Sequence, residues 1–339
     1  MSRVDLSTDY LGLKLTNPLV PSASPLSRSL DMARQLEDAG AAAIVMYSLF
    51  EEELHHEEES TNRFLIHQDI GHAEANSFLP FHHQYRRGLE QYQEHLAALK
   101  CSLGIPVIAS LNGVSLDGWV KHGRELQQAG ADALELNSYY VAADTRQTST
   151  ELEARYLELL HELRSEVSIP ITVKLSSQFT SIPHFVKKLE SAGANGVALF
   201  NRFYQPDIDL ETLQVTPQLP ESTSRDALFA MRWIALMYGR VKLSMAATSG
   251  IHSASDALKL LLAGADVTHL CSTLINDGPQ RLTHIKSGME SWMEEKGFES
   301  VSELKGRVSQ QQSVNPAAFE RTNYLWVLDN YSPAPGVRR

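Results

Sequence analysis

An alternation of short apolar runs with longer amphipathic runs repeats eight times between about residues 18 and 295, and it restricts the possible folds more than any other feature. The short runs predict strands at 18–22, 42–47, 106–111, 133–137, 171–175, 196–200, 242–246 and 267–271. Helical periodicity separates nearly all of them, at 29–39, 86–102, 116–129, 148–166, 181–192, 224–238, 254–263 and 279–295. Eight strands that alternate with helices predict an α/β protein, a single (β/α)₈ TIM barrel.

The tripeptide Ala-Gly-Ala supports this repeat. It occurs at 39–41, 129–131, 192–194 and 263–265, each time between a helical pattern and the next predicted strand. Glycine can adopt the left-handed conformation that ends a helix, and small neighbours let the chain enter the barrel wall. One helix-to-strand joint used four times indicates one repeated α/β unit.

Composition and charge exclude several classes of protein. Hydrophobic residues make up 43% of the 339 residues and the net charge is −11, which disfavours a nucleic-acid partner. Cys101 and Cys271 are far apart, which suits a reducing compartment. Asp5 and Asp9 interrupt any signal-peptide core, and no apolar stretch reaches about 18 residues. A cytoplasmic protein without a membrane partner is expected.

Three segments depart from the plain repeat. Long excursions follow the second and sixth predicted strands, at 48–85 and 201–223, and a C-terminal extension follows the barrel. Loops after strands lie on the C-terminal face of a barrel, where chemistry occurs, so both excursions are interpreted as parts of a substrate lid. The predicted domains are a barrel over 1–307 with a lid insertion at about 48–85, and a tail over 308–339.

The most informative stretch is AATSGIHSASDALKLLLAGADVTHLCSTLINDG, at 246–278. The seventh predicted strand leads into Ser249 and Gly250, and the eighth leads into Ser272 and Thr273. Hydroxyls, a glycine with outward N–H groups and nearby helix N-termini predict an anion cradle. Barrels often hold phosphate in these two loops. The alternative is that these residues are ordinary helix N-caps.

Polar side chains at the ends of the central strands suggest a polar ligand. Lys174 lies in the fifth predicted strand, where an inward orientation would let it stabilise an anion or an electron-rich ring. Asn112, Asn137 and Asn201 end or follow the third, fourth and sixth strands. An amide offers a donor and an acceptor, which suits the edge of a pyrimidine-like or flavin ring, so Asn112 is also a candidate cofactor-binding residue.

Histidines in the acidic excursion are interpreted as part of a solvated charged face. His55-His56 and His82-His83 are adjacent pairs whose side chains point in different directions and therefore chelate a metal poorly. No metal is expected.

Taken together, these residues resemble the dihydroorotate dehydrogenases, FMN-containing (β/α)₈ barrels of pyrimidine biosynthesis, over roughly residues 4–307. The matching stretches are NPLVPSAS (17–24), NSFLP (76–80), ELN (135–137), VKL (173–175), ALFN (198–201), ATSGI (247–251) and GADVTHLCSTLINDGP (264–279). Their order and spacing together are specific, whereas no single stretch is.

The resemblance implies a set of site residues and FMN as the cofactor. The residues that would bind FMN are Ala23, Ser24, Asn137, Lys174, Ser249, Gly250, Ser272 and Thr273. Lys174 would stand near the N1/O2 side of the flavin and favour its anionic reduced form. The residues that would face the substrate are Asn76, Asn137 and Asn201.

The chain also departs from the family pattern. The lysine of the family's second strand is absent from Val45–Ser48, and Pro25 replaces the glycine of Ala-Ser-Gly. If the loop after the fourth strand is aligned with the family without gaps, Tyr140 occupies the position of the family's Cys or Ser base. A phenol, with an ordinary pKa near 10, is a poor base but a competent acid.

These departures lead to the hypothesis that the chain favours alkene (C=C) reduction, with hydride transfer between flavin N5 and a bond next to a carbonyl. Tyr140 or Tyr139 would supply the proton, and the substrate would be a pyrimidine-like compound or another activated alkene, other than orotate.

Two alternatives stay open. The chain could be an authentic dihydroorotate dehydrogenase with an unidentified base such as His72, or a non-catalytic flavin-binding protein in which the tyrosines only pack. A separate electron donor or acceptor is expected, and a homodimer is an expectation by family analogy.

Overall fold

The computed structural model describes residues 4–50, 88–113, 119–137, 140–202, 205–218, 220–320 and 323–330. Its strands are β1 (Thr8–Tyr10), β2 (Leu13–Leu15), β3 (Leu19–Pro21), β4 (Ile44–Phe50), β5 (Val107–Asn112), β6 (Ala133–Asn137), β7 (Ile171–Leu175), β8 (Gly196–Leu199), β9 (Gln205–Asp209), β10 (Gln214–Gln218), β11 (Ser244–Thr248) and β12 (Val267–Leu270). The helices are α1 (Leu30–Asp38), α2 (Gly88–Ser102), α3 (Trp119–Gln128), α4 (Ser149–Glu166), α5 (Ile182–Ser191), α6 (Ala227–Met237), α7 (Ala254–Ala263), α8 (Ser272–Asp277), α9 (Gln280–Lys296), α10 (Val301–Leu304) and α11 (Asn323–Asp329).

Eight parallel strands form a nearly closed barrel. They run in the order β3-β12-β11-β8-β7-β6-β5-β4, each hydrogen-bonded to the next. Ala42, just before β4, donates its backbone N–H to the carbonyl of Leu19 at 3.0 Å, so the first and last strands of the sheet lie side by side. The predicted (β/α)₈ fold class is confirmed. Two strands were predicted too early: β4 covers Ile44–Phe50 and not 42–47, and β11 covers Ser244–Thr248 and not 242–246.

The predicted helix-to-strand joint is also confirmed. The four glycines of the Ala-Gly-Ala repeats share positive φ angles between 101° and 123°. Each donates its backbone N–H to the carbonyl three residues earlier, at 2.8–3.2 Å. These bonds satisfy carbonyls that a helix end leaves free, and the chain then turns directly into the next barrel strand.

An N-terminal hairpin of β1 and β2, which the sequence analysis did not predict, packs against the interior of the barrel. Tyr10 is fully buried and its hydroxyl lies 3.4 Å from Thr172 Oγ1. The backbone N–H of Leu11 donates to Ser244 Oγ at 3.0 Å. Thr172 and Ser244 pair with Gly196 near the N-terminal ends of β7, β11 and β8, so the hairpin covers that end of the barrel.

The segment that follows β8 contains a second hairpin. Strands β9 and β10 pair antiparallel from Gln205↔Gln218 to Asp209↔Gln214, and Ile208 and Val215 are exposed. The excursion at 48–85 lies largely within 51–87, outside the described residues, and so do both histidine pairs. The division at residue 307 stays a prediction. Among the described helices, none is long and apolar enough to cross a bilayer.

Candidate functional site at the barrel mouth

Adjoining cavities occupy the C-terminal mouth of the barrel. The first, named here the cradle cavity, measures 370 Å³ and is lined by Ser22, Lys174, Ser249, Gly250, His269 and Ser272, among others. The second, the amide cavity, measures 490 Å³ and is lined by Ala23, Ser24, Asn112, Asn137, Lys174 and Asn201, among others. Because Lys174 and Asn201 line both, the two cavities form one continuous groove. A third cavity, of 410 Å³, adjoins them at Asn201 and Ser249.

The turn after β11 has the geometry of an anion cradle. Ser249 and Gly250 both have positive φ, 81° and 77°, and turns of this kind form the backbone N–H concavities that bind anions in many proteins. A Cβ on Gly250 would meet the backbone N of Ala227 and lie 2.7 Å from the carbonyl of Thr223, so this turn packs directly against the start of α6. Ser249 Oγ is buried and has no hydrogen-bond partner among the described residues. A buried hydroxyl without a partner needs a ligand or a water, and a phosphate oxygen fits that need.

The loop after β12 completes one side of the cradle. Ser272 Oγ lies 3.1 Å from Ser222 Oγ, which in turn lies 3.1 Å from His252 Nε2. Thr273 is buried in the first turn of α8, where its hydroxyl donates to Asp277 Oδ2 at 3.4 Å. Ser249, Gly250 and Ser272 line the cradle cavity and Thr273 does not, so its predicted role in holding a phosphate stays a prediction.

Lys174 points into the barrel, as its position in the strand predicted. Its ammonium lies 3.3 Å from Glu135 Oε1 and 3.5 Å from Ser22 Oγ. Lys174 and Glu135 are both buried, so each charge depends on the other for compensation. The second carboxylate oxygen of Glu135 lies 3.7 Å from His269 Nδ1. Lys174 and His269 line the cradle cavity, and the buried Glu135 lies against both, so the three form a group of one cation, one anion and one imidazole.

Burial lowers the pKa of His269 to about 4, with Lys174 acting in the same direction and Glu135 opposing it. The unfolded chain binds a proton here below about pH 6.5, whereas the folded chain does so only near pH 4. Between these values the unfolded state binds more protons, so stability falls as the pH falls.

Because His269 is protonated first in the unfolded chain, we expect the protein to lose roughly 3 kcal/mol of unfolding free energy through this residue between pH 7.5 and 4. Urea unfolding at both pH values should show this loss, and His269→Leu should lack this part of it. Equal losses of unfolding free energy in wild type and in His269→Leu would contradict a lowered pKa of His269 in the folded protein.

Two asparagines are joined at the opening of the groove. Asn201 Nδ2 donates to Asn137 Oδ1 at 2.7 Å, and Asn112 ends β5 beside Asn137 in register. Ala23 and Ser24 line the same amide cavity. This wall therefore presents amide donors and acceptors to a ligand, as the three strand ends predicted.

Tyr140 lies apart from this groove. Its hydroxyl donates to Gln147 Oε1 at 3.0 Å, and the guanidinium of Arg155 lies 5.4 Å from its ring centroid. It lines a separate cavity of 470 Å³ with Asp144 and Gln147, among others. Tyr139 and Asn76 lie outside the described residues. The catalytic roles of Tyr139 and Tyr140 and the substrate role of Asn76 therefore stay predictions.

Three residues in or beside the groove were not among the predicted site residues. His269 lines the cradle cavity with Lys174, Glu135 is buried against both, and Arg202 lines all three adjoining cavities. The alternation of side chains along a strand could have identified Glu135, because residues two apart, such as Glu135 and Asn137, point to the same face. His269 could have been identified in the same way, because it lies two residues before Cys271 and both line the cradle cavity.

The structure is thus a (β/α)₈ barrel with hydroxyl-bearing turns after its seventh and eighth strands, the place where barrel enzymes frequently bind a phosphate. A family model described as dihydroorotate dehydrogenase matches residues 76–293, more than half of the chain. The chain belongs to the dihydroorotate dehydrogenase family. Members of this family are FMN flavoproteins and oxidoreductases that act on CH–CH groups, and this chain is an FMN-dependent oxidoreductase of that kind.

Similar curated proteins come from archaea and bacteria. The catalytic subunit of dihydroorotate dehydrogenase B (NAD(+)) of Thermoplasma acidophilum is 25% identical over 307 residues, covering 89% of this chain and 98% of that protein. Dihydroorotate dehydrogenase A (fumarate) of Lactobacillus delbrueckii subsp. bulgaricus is 29% identical over 213 residues, covering 61% and 68%. The NAD-dependent dihydropyrimidine dehydrogenase subunit PreA of Escherichia coli K12 is 25% identical over 326 residues, covering 89% and 76%.

Proposed function

We propose that this chain transfers a hydride between FMN and a carbon–carbon bond next to a carbonyl in a small, pyrimidine-like or similarly activated molecule. The observation that carries this proposal is the continuity of the groove. An anion cradle lies at one end, an amide-lined wall lies at the other, and Lys174 borders both cavities. A ligand with a phosphate and a flat polar ring matches that order of groups.

The residues of the groove fit FMN and a polar ring. Ser249, Gly250 and Ser272 would hold the phosphate, and Lys174 would stabilise negative charge on the flavin. Bound FMN supplies the group that accepts or gives the hydride. Asn137 and Asn201 would orient a substrate with alternating N–H and C=O groups. The names of two relatives give dihydroorotate and dihydropyrimidine as substrates, and this supports a ring substrate with alternating N–H and C=O groups.

We further propose that the favoured direction is reduction of an alkene. Oxidation of a saturated C–C bond needs a base that removes a proton, and the position after β6 carries Tyr140 instead of the family's Cys or Ser. The thiol of Cys271 lines the cradle cavity, but burial raises its pKa, so it stays protonated at neutral pH and has no thiolate to remove a proton. A tyrosine can donate the proton that reduction requires, and for Tyr140 this role requires its hydroxyl to leave Gln147 when substrate binds.

Photoreduced protein mixed without oxygen with an alkene should show the direction of the reaction. We expect simple cyclic enones to reoxidise the flavin at least tenfold faster than orotate does, measured by stopped-flow absorbance. Rapid reoxidation by orotate alone, or reduction of the flavin by dihydroorotate, would instead identify a dihydroorotate dehydrogenase with another base. No reaction with any of these compounds would leave a flavin-binding protein without turnover.

Conservative variants test the tyrosines in the same assay. If a phenol donates the proton, Tyr140→Phe or Tyr139→Phe should slow enone reduction about 100-fold. Tyr324→Phe is the matched control, because Tyr324 is exposed in α11. Wild-type rates in both Tyr140→Phe and Tyr139→Phe would show that these tyrosines only pack.

The names of the relatives give two different oxidants, NAD(+) and fumarate. We therefore propose a separate electron donor or acceptor without assigning its chemistry. A homodimer and a cytoplasmic location stay predictions from the sequence.

A further inference from the structure

The feature that the proposed function leaves unexplained is a polar side chain without a partner that lines the cradle cavity. The side chain of His269 is fully buried, and neither ring nitrogen has a hydrogen-bond partner among the described residues. Buried polar atoms of native proteins are nearly always paired, so an unpaired imidazole indicates a missing partner. Because His269 lines the cradle cavity together with Lys174 and Ser249, a ligand bound in that cavity is in position to supply the partner.

The surroundings of His269 determine which hydrogen-bonding group it offers. Tyr10 presents its ring edge-on, with the ring centroids 5.9 Å apart. The charged groups that face the imidazole are Glu135 and Lys174. His269 Nδ1 lies 3.7 Å from Glu135 Oε2, too far for a hydrogen bond but close enough for a strong electrostatic preference.

That preference selects one tautomer. The low pKa of His269 keeps the imidazole neutral at pH 7, so one ring nitrogen carries a proton and the other carries a lone pair. A lone pair on Nδ1 would face the carboxylate oxygen of Glu135 and be repelled by it, whereas an N–H there is attracted. The proton therefore resides on Nδ1, and Nε2 is an acceptor.

We propose that His269 Nε2 accepts a hydrogen bond from a donor group of the bound FMN, and that His269 is a cofactor-binding residue of this chain. FMN carries two kinds of donor, the hydroxyls of its ribityl chain and the N–H of its ring edge. Glu135 has a positioning role in this arrangement, since it holds the imidazole in the accepting tautomer. The inference rests on FMN being the cofactor of the groove.

Equilibrium binding of FMN to the deflavinated full-length protein tests the proposal. Replacing His269 by leucine removes the acceptor, and we expect FMN to bind about tenfold more weakly, measured by quenching of flavin fluorescence. His269→Gln keeps an acceptor and should recover most of the affinity. Thr268→Val is the matched control, because Thr268 neighbours His269 in β12 but donates to the backbone carbonyl of Pro18 at 3.2 Å.

Flavin analogues identify the donor. An analogue that lacks the relevant ribityl hydroxyl should bind wild type and His269→Leu with nearly equal affinity, and if the ring N–H is the donor, 3-methyl-FMN should do so instead. Equal affinity of wild type and His269→Leu for FMN itself, with a changed melting temperature, would show that the imidazole is only structural and would overturn the inference. A wild-type protein that does not bind FMN would contradict the proposed function instead.

Discussion

Replacing Lys174 by methionine is expected to cost the protein about 3–5 kcal/mol of unfolding free energy and to slow flavin reoxidation about 100-fold. The first effect arises because Glu135 is fully buried and lies 3.3 Å from the lysine ammonium, so the substitution leaves an uncompensated carboxylate in the barrel. The second arises because the groove loses the positive charge that would stabilise negative charge on the flavin ring. Urea unfolding and stopped-flow absorbance of the photoreduced protein with an enone measure the two effects separately.

A second substitution separates structure from chemistry. In Lys174→Met/Glu135→Gln the buried charge is gone, and we expect most of the lost stability to return while the reaction stays slow. If the double variant also recovered the rate, Lys174 would act only through the stability of the barrel. If Lys174→Met were as stable and as fast as wild type, the buried ion pair itself would be in doubt.

The barrel and the positions of Ser249, Gly250 and Ser272 at its mouth could be predicted because they follow from local patterns. Each Ala-Gly-Ala joint is encoded in three residues, and the glycine φ angles repeat at every joint. The cradle depends on Ser249 and Gly250, which are adjacent in the chain, and on a loop that a barrel always places beside it. Inward orientation of Lys174 follows from strand periodicity and from the cost of burying a charge under helices.

The parts of the site that could not be predicted depend on contacts between distant residues. Glu135 meets His269 only because β6 and β12 face one another across the closed barrel, and no local pattern encodes that distance. The Tyr10 ring reaches the same interior from an N-terminal hairpin of three-residue strands, too short for a periodicity signal. Tyr140 was assigned by its position after β6, but its hydroxyl direction depends on Gln147, a partner seven residues later.

Gly250→Ala is expected to weaken FMN binding at least 100-fold. The residue has φ 77°, and an added Cβ would lie against the backbone N of Ala227 and 2.7 Å from the carbonyl of Thr223. Neither contact is with a flexible side chain, so the turn itself must move. The N–H groups of the cradle would then lose their common direction, and a 100-fold loss corresponds to about 2.7 kcal/mol of binding free energy. Fluorescence titration with FMN gives this value directly.

Gly297→Ala is the control for conformational strain alone. Gly297, at the end of α9, has nearly the same φ, 75°, but nothing lies within 4 Å of the added Cβ. This variant should lose only about 1 kcal/mol of stability, the cost of a left-handed alanine, and should bind FMN as wild type does. If both variants bound FMN equally well, the turn after β11 would not hold the phosphate, because only the Gly250 variant displaces that turn. A weakened Gly250 variant beside an unaffected Gly297 variant would locate the phosphate at the Ser249–Gly250 turn, independently of any activity assay.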